Sequence, residues 1–286
     1  MKRREMLAAS GAALVGLSTF PFGWAAAAEE KKQKVLYFTR SAGFEHGAVK
    51  RNGEELSFSE KTLIEMGKRA GFDVECTKDG RVFDGDLSQY DCIAFYTSGD
   101  LTKPNKNQTP PMSPEGKQKL LDTIAAGKGF VGFHAATDSF RSEGIDPYIA
   151  MVGGEFCGHG AQQEATVSVS SPKFPGAEEF GPSLALQEEW YAHQKIAGDL
   201  HVILVQETEG MTGGLYQRPP FPATWARMHD KGRVFYTSFG HRDDVWTNPK
   251  VQAIMLGGIA WTMGNVDVDV TPNIDKVTPK ANQLQK

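Results

Sequence analysis

The sequence predicts an α/β fold in which helices cover a doubly wound, mostly parallel β-sheet. Between residues 34 and 133, short apolar runs alternate with amphipathic segments of about twelve residues, a pattern typical of successive βαβ units. A second observation agrees with the first, because histidines follow three apolar runs, at His46, His134 and His241. Loops beyond the carboxyl ends of parallel strands share one edge of the sheet, where ligands bind. The fold class therefore predicts that these three imidazoles lie close together.

Local signals place the elements of the first half. Ser113 and Pro114 suit the cap and the first turn of a helix, because the serine hydroxyl accepts an orphan backbone N–H and proline needs no partner there. Apolar side chains spaced three or four apart indicate a second helix, and apolar runs indicate buried strands. The predicted strands cover residues 35–39, 73–77, 92–96 and 130–133, and the predicted helices cover residues 58–70 and 113–126.

The second half is more irregular. The polar, proline-rich segment 100–112 is expected to be a flexible flap over the ligand edge, and residues 265–286 are expected to be an exposed tail. Alternation of valine and aspartate in that tail could add an edge strand. No repeat or linker divides residues 34–264, which are expected to form one domain. Further strands are predicted at 164–169, 201–206, 224–229 and 233–239, and a closing helix at 248–263.

Residues 1–28 have the features of an export signal. A basic start that contains Arg3 and Arg4 precedes an apolar run over residues 6–20, and four alanines end at Ala28. The paired arginines resemble a twin-arginine signal, and the apolar run is too short for a membrane anchor. We therefore expect cleavage near Ala28, a periplasmic or secreted mature protein, and no stable membrane anchor after cleavage.

Charge and cysteine content exclude two classes of protein. The formal net charge of the chain is −4, and removal of the export signal makes it more negative, so nucleic acid is not expected as a partner. Three cysteines at unrelated spacings do not form a disulfide framework. Cys76 and Cys92 lie in predicted strands as small core residues, whereas Cys157 lies two residues before His159.

His134 occupies a strand-to-helix turn in the segment GFHAATD. In amidotransferases and α/β-hydrolases, a turn of this kind holds a Ser or Cys nucleophile, so a histidine there disfavours covalent acyl chemistry. Asp138 follows at the predicted helix start, where it could orient a polar ligand. A buried histidine beside a capping aspartate would explain the same residues without any catalytic role.

Two further segments offer candidates. His159 lies among four glycines, which favours a tight turn that presents its imidazole. Glu188 and Glu189 precede Trp190 and Tyr191, and strand alternation would bury one of the two acids, where it could act as acid, base or metal ligand. The two aromatic rings could stack on a sugar or pack in the core. The alternatives are an incidental histidine in a surface turn and solvated acids at a strand edge.

These motifs, in this order, resemble the ThuA-like, or trehalose-utilisation, family from about residue 34 to residue 263. The resemblance implies a flavodoxin-like sheet similar to class I glutamine amidotransferases, with His134 where those enzymes have their catalytic cysteine. Members of the family commonly have Asp where this chain has Glu188, and Pro where it has Gly160. The resemblance also implies a carbohydrate ligand. The segments that carry it are VLYFTRSAGFEH, FVGFHAATDSF, VGGEFCGH, EEWY, PATWARMHDKGRVFYTSFGH and GIAWTMG.

Our leading hypothesis is an exported enzyme that acts on a disaccharide or keto-sugar by His/Glu acid–base chemistry, as an isomerase, lyase or hydrolase without a cysteine nucleophile. A divalent metal such as zinc is the candidate cofactor, because histidines with a carboxylate suit it, and no nucleotide cofactor is indicated. The alternatives are a non-catalytic carbohydrate-binding protein and an amidase that uses Cys157. The candidate residues are His134, Glu189, Asp138 and His241 for catalysis, Trp190, Tyr191 and His46 for substrate binding, and His134, His159 and His241 for metal binding.

Overall fold

The computed structural model describes residues 32–284, and the predicted export signal lies outside them. No helix in this part of the chain is long and apolar enough to cross a membrane. The helices are α1 (Phe58–Ala70), α2 (Pro114–Ala125), α3 (Pro147–Val152), α4 (Asp243–Thr247), α5 (Pro249–Thr262) and α6 (Ile274–Val277). The strands are β1 (Lys34–Phe38), β2 (Asp73–Thr77), β3 (Cys92–Phe95), β4 (Gly129–Phe133), β5 (Glu155–His159), β6 (Gln163–Val169), β7 (Ser183–Glu188), β8 (Tyr191–Gln194), β9 (His201–Gln206), β10 (Phe221–His229) and β11 (Gly232–Thr237).

One mixed sheet organises the described residues, in the strand order β2-β1-β3-β4-β11-β10-β9-β6-β7. Neighbours are parallel from β2 to β11, and antiparallel from β11 to β7. Strands β5 and β8 form a separate antiparallel ribbon. The predicted α/β fold is confirmed. The carboxyl ends of β1, β3, β4 and β11 lie along one edge, where the candidate site is found.

Helices cover both faces of the parallel strands, because the side chains of a strand alternate between its two faces. Val35 and Tyr37 of β1 pack in one apolar cluster with α1 and α5, whereas Leu36 and Phe38 pack in the other with α2 and α3. This is the doubly wound arrangement that the alternating sequence pattern predicts.

The signals at the helix starts have the expected structural effect. The Ser57 hydroxyl accepts the backbone N–H of Glu60, whose carboxylate accepts the backbone N–H of Ser57 in return, so a capping box begins α1. Ser113 caps α2, and Pro114 occupies its first turn as predicted.

Segment 100–112 is fastened to the sheet and does not form the free flap that its composition suggests. The buried guanidinium of Arg40 donates hydrogen bonds to the backbone carbonyls of Leu101, Lys103 and Thr109. A buried arginine needs several acceptors, and the loop carbonyls supply them. The loop therefore completes the wall of the sheet edge.

The C-terminal segment is anchored to the domain at a few residues, although most of it is exposed. Ile274 is 6 % exposed and Ala281 is 3 % exposed. The Asn273 side chain accepts the backbone N–H of β9 at Val202, and the Asn282 amide bonds to the backbone of Ile196. The alternating valines rest on the core without forming an edge strand in the described residues.

Candidate functional site

Three histidines meet at the carboxyl edge of the parallel strands. His46 lies in the loop after β1, His134 directly follows β4, and His241 lies in the loop after β11. Their ring centroids are separated by 4.9 Å between His46 and His134, 5.3 Å between His46 and His241, and 5.4 Å between His134 and His241. The structure therefore brings together side chains that are far apart in the sequence.

The carboxylate of Glu189 lies between the three rings. Its Oε2 atom is 3.4 Å from Nε2 of His134, 3.7 Å from Nε2 of His46 and 2.9 Å from Nδ1 of His241. Its Oε1 atom is 3.4 Å from Nδ1 of His159. Burial raises the pKa of Glu189, but the surrounding imidazoles lower it by more, so the pKa lies well below its usual range. Glu189 is therefore ionised at neutral pH although it is buried.

The β5–β8 ribbon carries Glu189 and His159 to this edge. His159 pairs with Tyr191 across the ribbon, and Glu189 immediately precedes β8. The carboxylate of Glu188 accepts the backbone N–H of Gly240 at 3.0 Å and that of Glu189 at 2.7 Å. Burial raises the pKa of Glu188 to about 7. The structure thus buries both acids: Glu188 joins the ribbon to the loop after β11, and Glu189 faces the imidazoles.

The turn at His134 holds its ring in one orientation. The residue has a φ of 41°, in the left-handed region that non-glycine residues rarely adopt. Its Nδ1 lies 2.7 Å from the carbonyl of Ser238, and its own carbonyl accepts a hydrogen bond from the Tyr236 hydroxyl at 2.7 Å. Burial lowers the pKa of His134 to about 3, so the ring is neutral. Because the Ser238 carbonyl can only accept, the neutral ring carries its proton on Nδ1 and its lone pair on Nε2, which faces Glu189. This lone pair repels the ionised carboxylate unless a proton or a cation lies between the two atoms.

His241 is held differently and has the opposite electrostatic character. Its outer nitrogen, Nε2, lies 2.9 Å from the Gln162 amide, which is itself fixed by Arg242. Burial lowers the pKa of His241, but the carboxylate of Glu189 raises it by more, and the net pKa lies above its usual value. Arg242 also pairs with Asp244 at 2.9 Å. A surface ion pair between Arg242 and Asp244 therefore lies beside a histidine that faces the cluster.

Four residues form a group that could hold a metal ion: each of His46, His134, Glu189 and His241 offers one ligand atom, and these atoms lie within 4.8 Å of one another. Nδ1 of His46 and Nε2 of His134 are buried and have no hydrogen-bond partner among residues 32–284, and Oε2 of Glu189 and Nδ1 of His241 face each other at 2.9 Å without hydrogen-bond geometry. Buried polar atoms nearly always have a partner, so the two unpartnered imidazole nitrogens are available to a ligand. Imidazole nitrogens with one carboxylate are a donor set that suits zinc.

Two residues predicted for catalysis or metal binding, His159 and Asp138, lie outside this group of four. The side chain of His159 is 41 % exposed, and its Nδ1 lies 2.9 Å from the carbonyl of Gly160. His46 therefore stands in the converging group in the place that the sequence analysis gave to His159. Asp138 lies at the end of the short turn after β4 and pairs with Arg141 at 2.6 Å. Burial raises the pKa of Asp138 to about 6.

The predicted aromatic residues are buried. Trp190 is fully buried, and its indole N–H donates to the carbonyl of Gln163. Tyr191 is 3 % exposed, and its hydroxyl lies 3.0 Å from Nε2 of His46. Neither ring has an open face for a sugar in this structure. Tyr191 instead helps to orient His46.

The sequence analysis missed Ser238, Tyr236 and Gln162, which fix the cluster from behind. Ser238 acts through its backbone carbonyl, so no side-chain signal could have identified it. Tyr236 lies in an apolar strand, where a hydroxyl that binds a neighbouring backbone has no sequence signature. Cys157 takes no part in the cluster: its thiol donates to the carbonyl of Ala192, and burial raises its pKa.

Comparison with known proteins identifies the family. The family model described as ThuA, trehalose utilisation, matches residues 34–262. The chain belongs to the ThuA family. A protein described as ThuA-like from Bacteroides uniformis has a TM-score of 0.61 at 18 % sequence identity, over 85 % of this chain and 95 % of that one. A ThuA-like protein from Parabacteroides merdae also has a TM-score of 0.61, at 15 % identity, over 85 % of this chain and 94 % of that one. At these identities the two structures show that the fold is shared. No curated protein matches this member of the ThuA family.

Proposed function

We propose that this ThuA-family chain is an exported enzyme of carbohydrate metabolism that performs acid–base chemistry at a metal-assisted His/Glu centre. The observation that carries the proposal is the convergence of His46, His134, Glu189 and His241 at the ligand edge of the sheet. A purely structural cluster would be expected to satisfy its own buried atoms, whereas Nδ1 of His46 and Nε2 of His134 have no hydrogen-bond partner in the described part of the chain.

The residues present fit a divalent metal. The hydrogen bond from His134 Nδ1 to the Ser238 carbonyl is the type of outer contact that fixes the tautomer of a metal-ligating histidine. Tyr191 orients His46 in a similar way through its hydroxyl. A zinc-like ion bound here would polarise a carbonyl or hydroxyl oxygen of the substrate.

The chain's own residues supply proton transfer. In the absence of a bound ion, Glu189 is an ionised carboxylate shielded from water and His241 beside it has a raised pKa, so a proton shared by the two groups is held on His241. Asp138 is a further buried acid near this edge and acts as an orienting residue. Abstraction of a proton from the carbon next to a ketone, followed by isomerisation or elimination, would use these proton-transfer groups. Positioned acid–base groups of this kind contribute about 10²–10⁴-fold to a rate.

The carbohydrate ligand and the export of the protein have separate support. The family description names trehalose utilisation, which favours a disaccharide or a derivative of one. The pattern over residues 1–28 favours twin-arginine export to the periplasm. Replacing both Arg3 and Arg4 with lysine should leave the uncleaved precursor in the cytoplasm, as detected by immunoblotting of cell fractions. Normal export of that variant would contradict the twin-arginine route.

The decisive experiment combines metal analysis with a turnover assay. Mature wild-type protein should carry about one equivalent of a divalent metal, and the His134→Ala and Glu189→Gln variants should lose it. His201→Ala is the matched control, because His201 lies on β9 and bonds to the backbone of Thr271, away from the cluster. Turnover of trehalose and of a keto-derivative of trehalose can be followed by NMR, and Glu189→Gln should be at least about 100-fold slower than wild type.

The outcomes separate the parts of the proposal. Full activity in metal-free wild-type protein would contradict the role of the metal. Sugar binding without turnover, unaffected in rate by any of the variants, would favour a non-catalytic carbohydrate-binding protein. Inactivation by thiol alkylation that Cys157→Ala abolishes would favour an amidase instead, although the thiol of Cys157 lies outside the cluster.

A further inference from the structure

Phe44 is the most exposed large hydrophobic residue in the described part of the chain, with 67 % of its surface open to solvent. Exposure alone is weak evidence for a binding site, because single exposed hydrophobic residues are common on protein surfaces. Ile145, which is 61 % exposed, is an example. Phe44 differs in position, because it lies two residues before His46 in the loop after β1.

The Phe44 ring stands directly beside the cluster. Its centroid is 4.9 Å from that of the His46 imidazole, and the two ring planes meet at 84°. Another aromatic ring, Phe156, lies beside His159, but the guanidinium of Arg141 lies over that ring, 5.4 Å from its centroid. Phe44 is therefore the aromatic residue at this edge whose surface is mostly free.

The loop holds Phe44 in one place. The carbonyl of Phe44 accepts a hydrogen bond from the Ser98 hydroxyl at 2.6 Å, and the backbone N–H groups of Ala42 and Gly43 donate to the carbonyl of Ser98. Gly99, with a φ of 75°, packs so closely that a side chain there would overlap the backbone of Gly43. A loop whose backbone is already fixed by these contacts loses little freedom when a ligand binds, and this favours affinity.

We propose that Phe44 is a ligand-binding platform that packs against the apolar C–H face of a sugar whose polar edge lies toward the cluster of His46, His134, Glu189 and His241. The inference rests on the carbohydrate ligand of the proposed function. A sugar ring has an apolar face and a rim of hydroxyls, so it suits a site in which an exposed phenyl ring lies next to buried imidazoles and a carboxylate. Phe44 thus fills the role that the sequence analysis assigned to Trp190 and Tyr191.

Calorimetric titration of trehalose into the mature, metal-replete protein tests this role. Phe44→Ala should weaken binding about tenfold, which is the scale of one lost aromatic contact, and Phe44→Trp should retain affinity. Ile145→Ala is the matched control, because it removes an equally exposed apolar side chain from a position that no contact links to the cluster. All variants should keep wild-type melting temperature and metal content, because the substitutions are at the surface.

Each outcome has a distinct meaning. If wild-type protein binds trehalose and Phe44→Ala binds it equally well, the role of Phe44 is refuted while the proposed function stands. If Phe44→Ala loses metal as well as sugar, the ring supports the cluster and does not contact the ligand, which also refutes the inference. If wild-type protein binds neither trehalose nor glucose, the carbohydrate ligand of the proposed function fails, and this inference fails with it.

Discussion

Replacing Arg51 with alanine should destabilise the domain, because Arg51 neutralises a buried carboxylate. Glu60 of α1 is fully buried and accepts two hydrogen bonds from Nε and one from Nη2 of Arg51, as well as bonds from the Thr39 hydroxyl and the Ser57 backbone. Removal of one partner of a buried pair costs about 3–5 kcal/mol. We expect about 3 kcal/mol for Arg51→Ala, because the bonds from Thr39 and Ser57 remain. For a domain of this size, that corresponds to a fall of about 6 °C in melting temperature.

The pH dependence of this loss follows from the pKa of Glu60. Burial raises the pKa, but the bonds from Arg51, Thr39 and Ser57 lower it by more, and the net value lies below the usual 4.5. A carboxyl whose pKa is lower in the folded state contributes stability that is present above its usual pKa and is lost as the pH falls through the folded value. The difference between wild type and Arg51→Ala should therefore be largest near neutral pH and should shrink below about pH 4.5.

Chemical denaturation at several pH values checks this reasoning. Adding Glu60→Gln to Arg51→Ala should recover part of the lost stability, because the unpaired buried charge is then gone. Lys68→Ala is the control, since Lys68 pairs with Glu65 on the same helix with both side chains 63 % exposed, and its loss should change stability by less than about 0.5 kcal/mol. An Arg51→Ala protein as stable as the Lys68→Ala control would refute the argument.

Three further predictions concern packing, pH and metal. Gly257→Ala should destabilise the domain by about 1–3 kcal/mol, because its new methyl group would overlap the Pro175 carbonyl, whereas Gly47→Ala meets no atom within 4 Å and should be neutral in the same denaturation assay. Burial raises the pKa of Asp138 from 3.8 to about 6, so the folded state loses stability as the pH rises through that window, and Asp138→Asn should raise the melting temperature above pH 6 but not below pH 3.8. Zinc at about 100 times its dissociation constant should stabilise wild-type protein by about 2.7 kcal/mol in thermal melting and leave Glu189→Gln unchanged.

The first half of the fold could be predicted because its signals are local. The cap at Ser113 and the apolar faces of the first two helices depend on neighbours in sequence, and the structure has the predicted elements at the predicted places. The topology of a parallel sheet located the site. A histidine that directly follows a parallel strand lies at the ligand edge, however the intervening helices pack. His46, His134 and His241 needed no further information.

The remaining features of the fold and the site depend on tertiary contacts, which leave no periodic pattern in the sequence. Nothing local distinguishes Glu188, which binds backbone N–H groups, from Glu189, which faces the imidazoles. The sequence around Trp190 is compatible with an exposed stacking platform and with a core residue. Only the tertiary packing of the β5–β8 ribbon against the sheet shows that Trp190 is buried. The anchoring of the tail was missed for a related reason, since it depends on hydrogen bonds that the side-chain amides of Asn273 and Asn282 make to the domain.

The unsatisfied atoms of the cluster argue for a ligand more strongly than the identity of its residues does. A left-handed backbone at a residue such as His134 costs about 1–3 kcal/mol, and each buried polar atom without a partner costs a similar amount. The strained turn and the two unpartnered nitrogens of His46 and His134 together would use a substantial part of the roughly 5–15 kcal/mol that stabilises a domain. A buried group with no function would be expected to give way to apolar side chains, which pack without this penalty. An ion that accepts the lone pairs of His46, His134 and His241 would remove the penalty at the point where it is largest, and binding would then stabilise the fold. For that reason, the zinc-dependent rise in melting temperature tests the origin of the cluster as well as its occupancy.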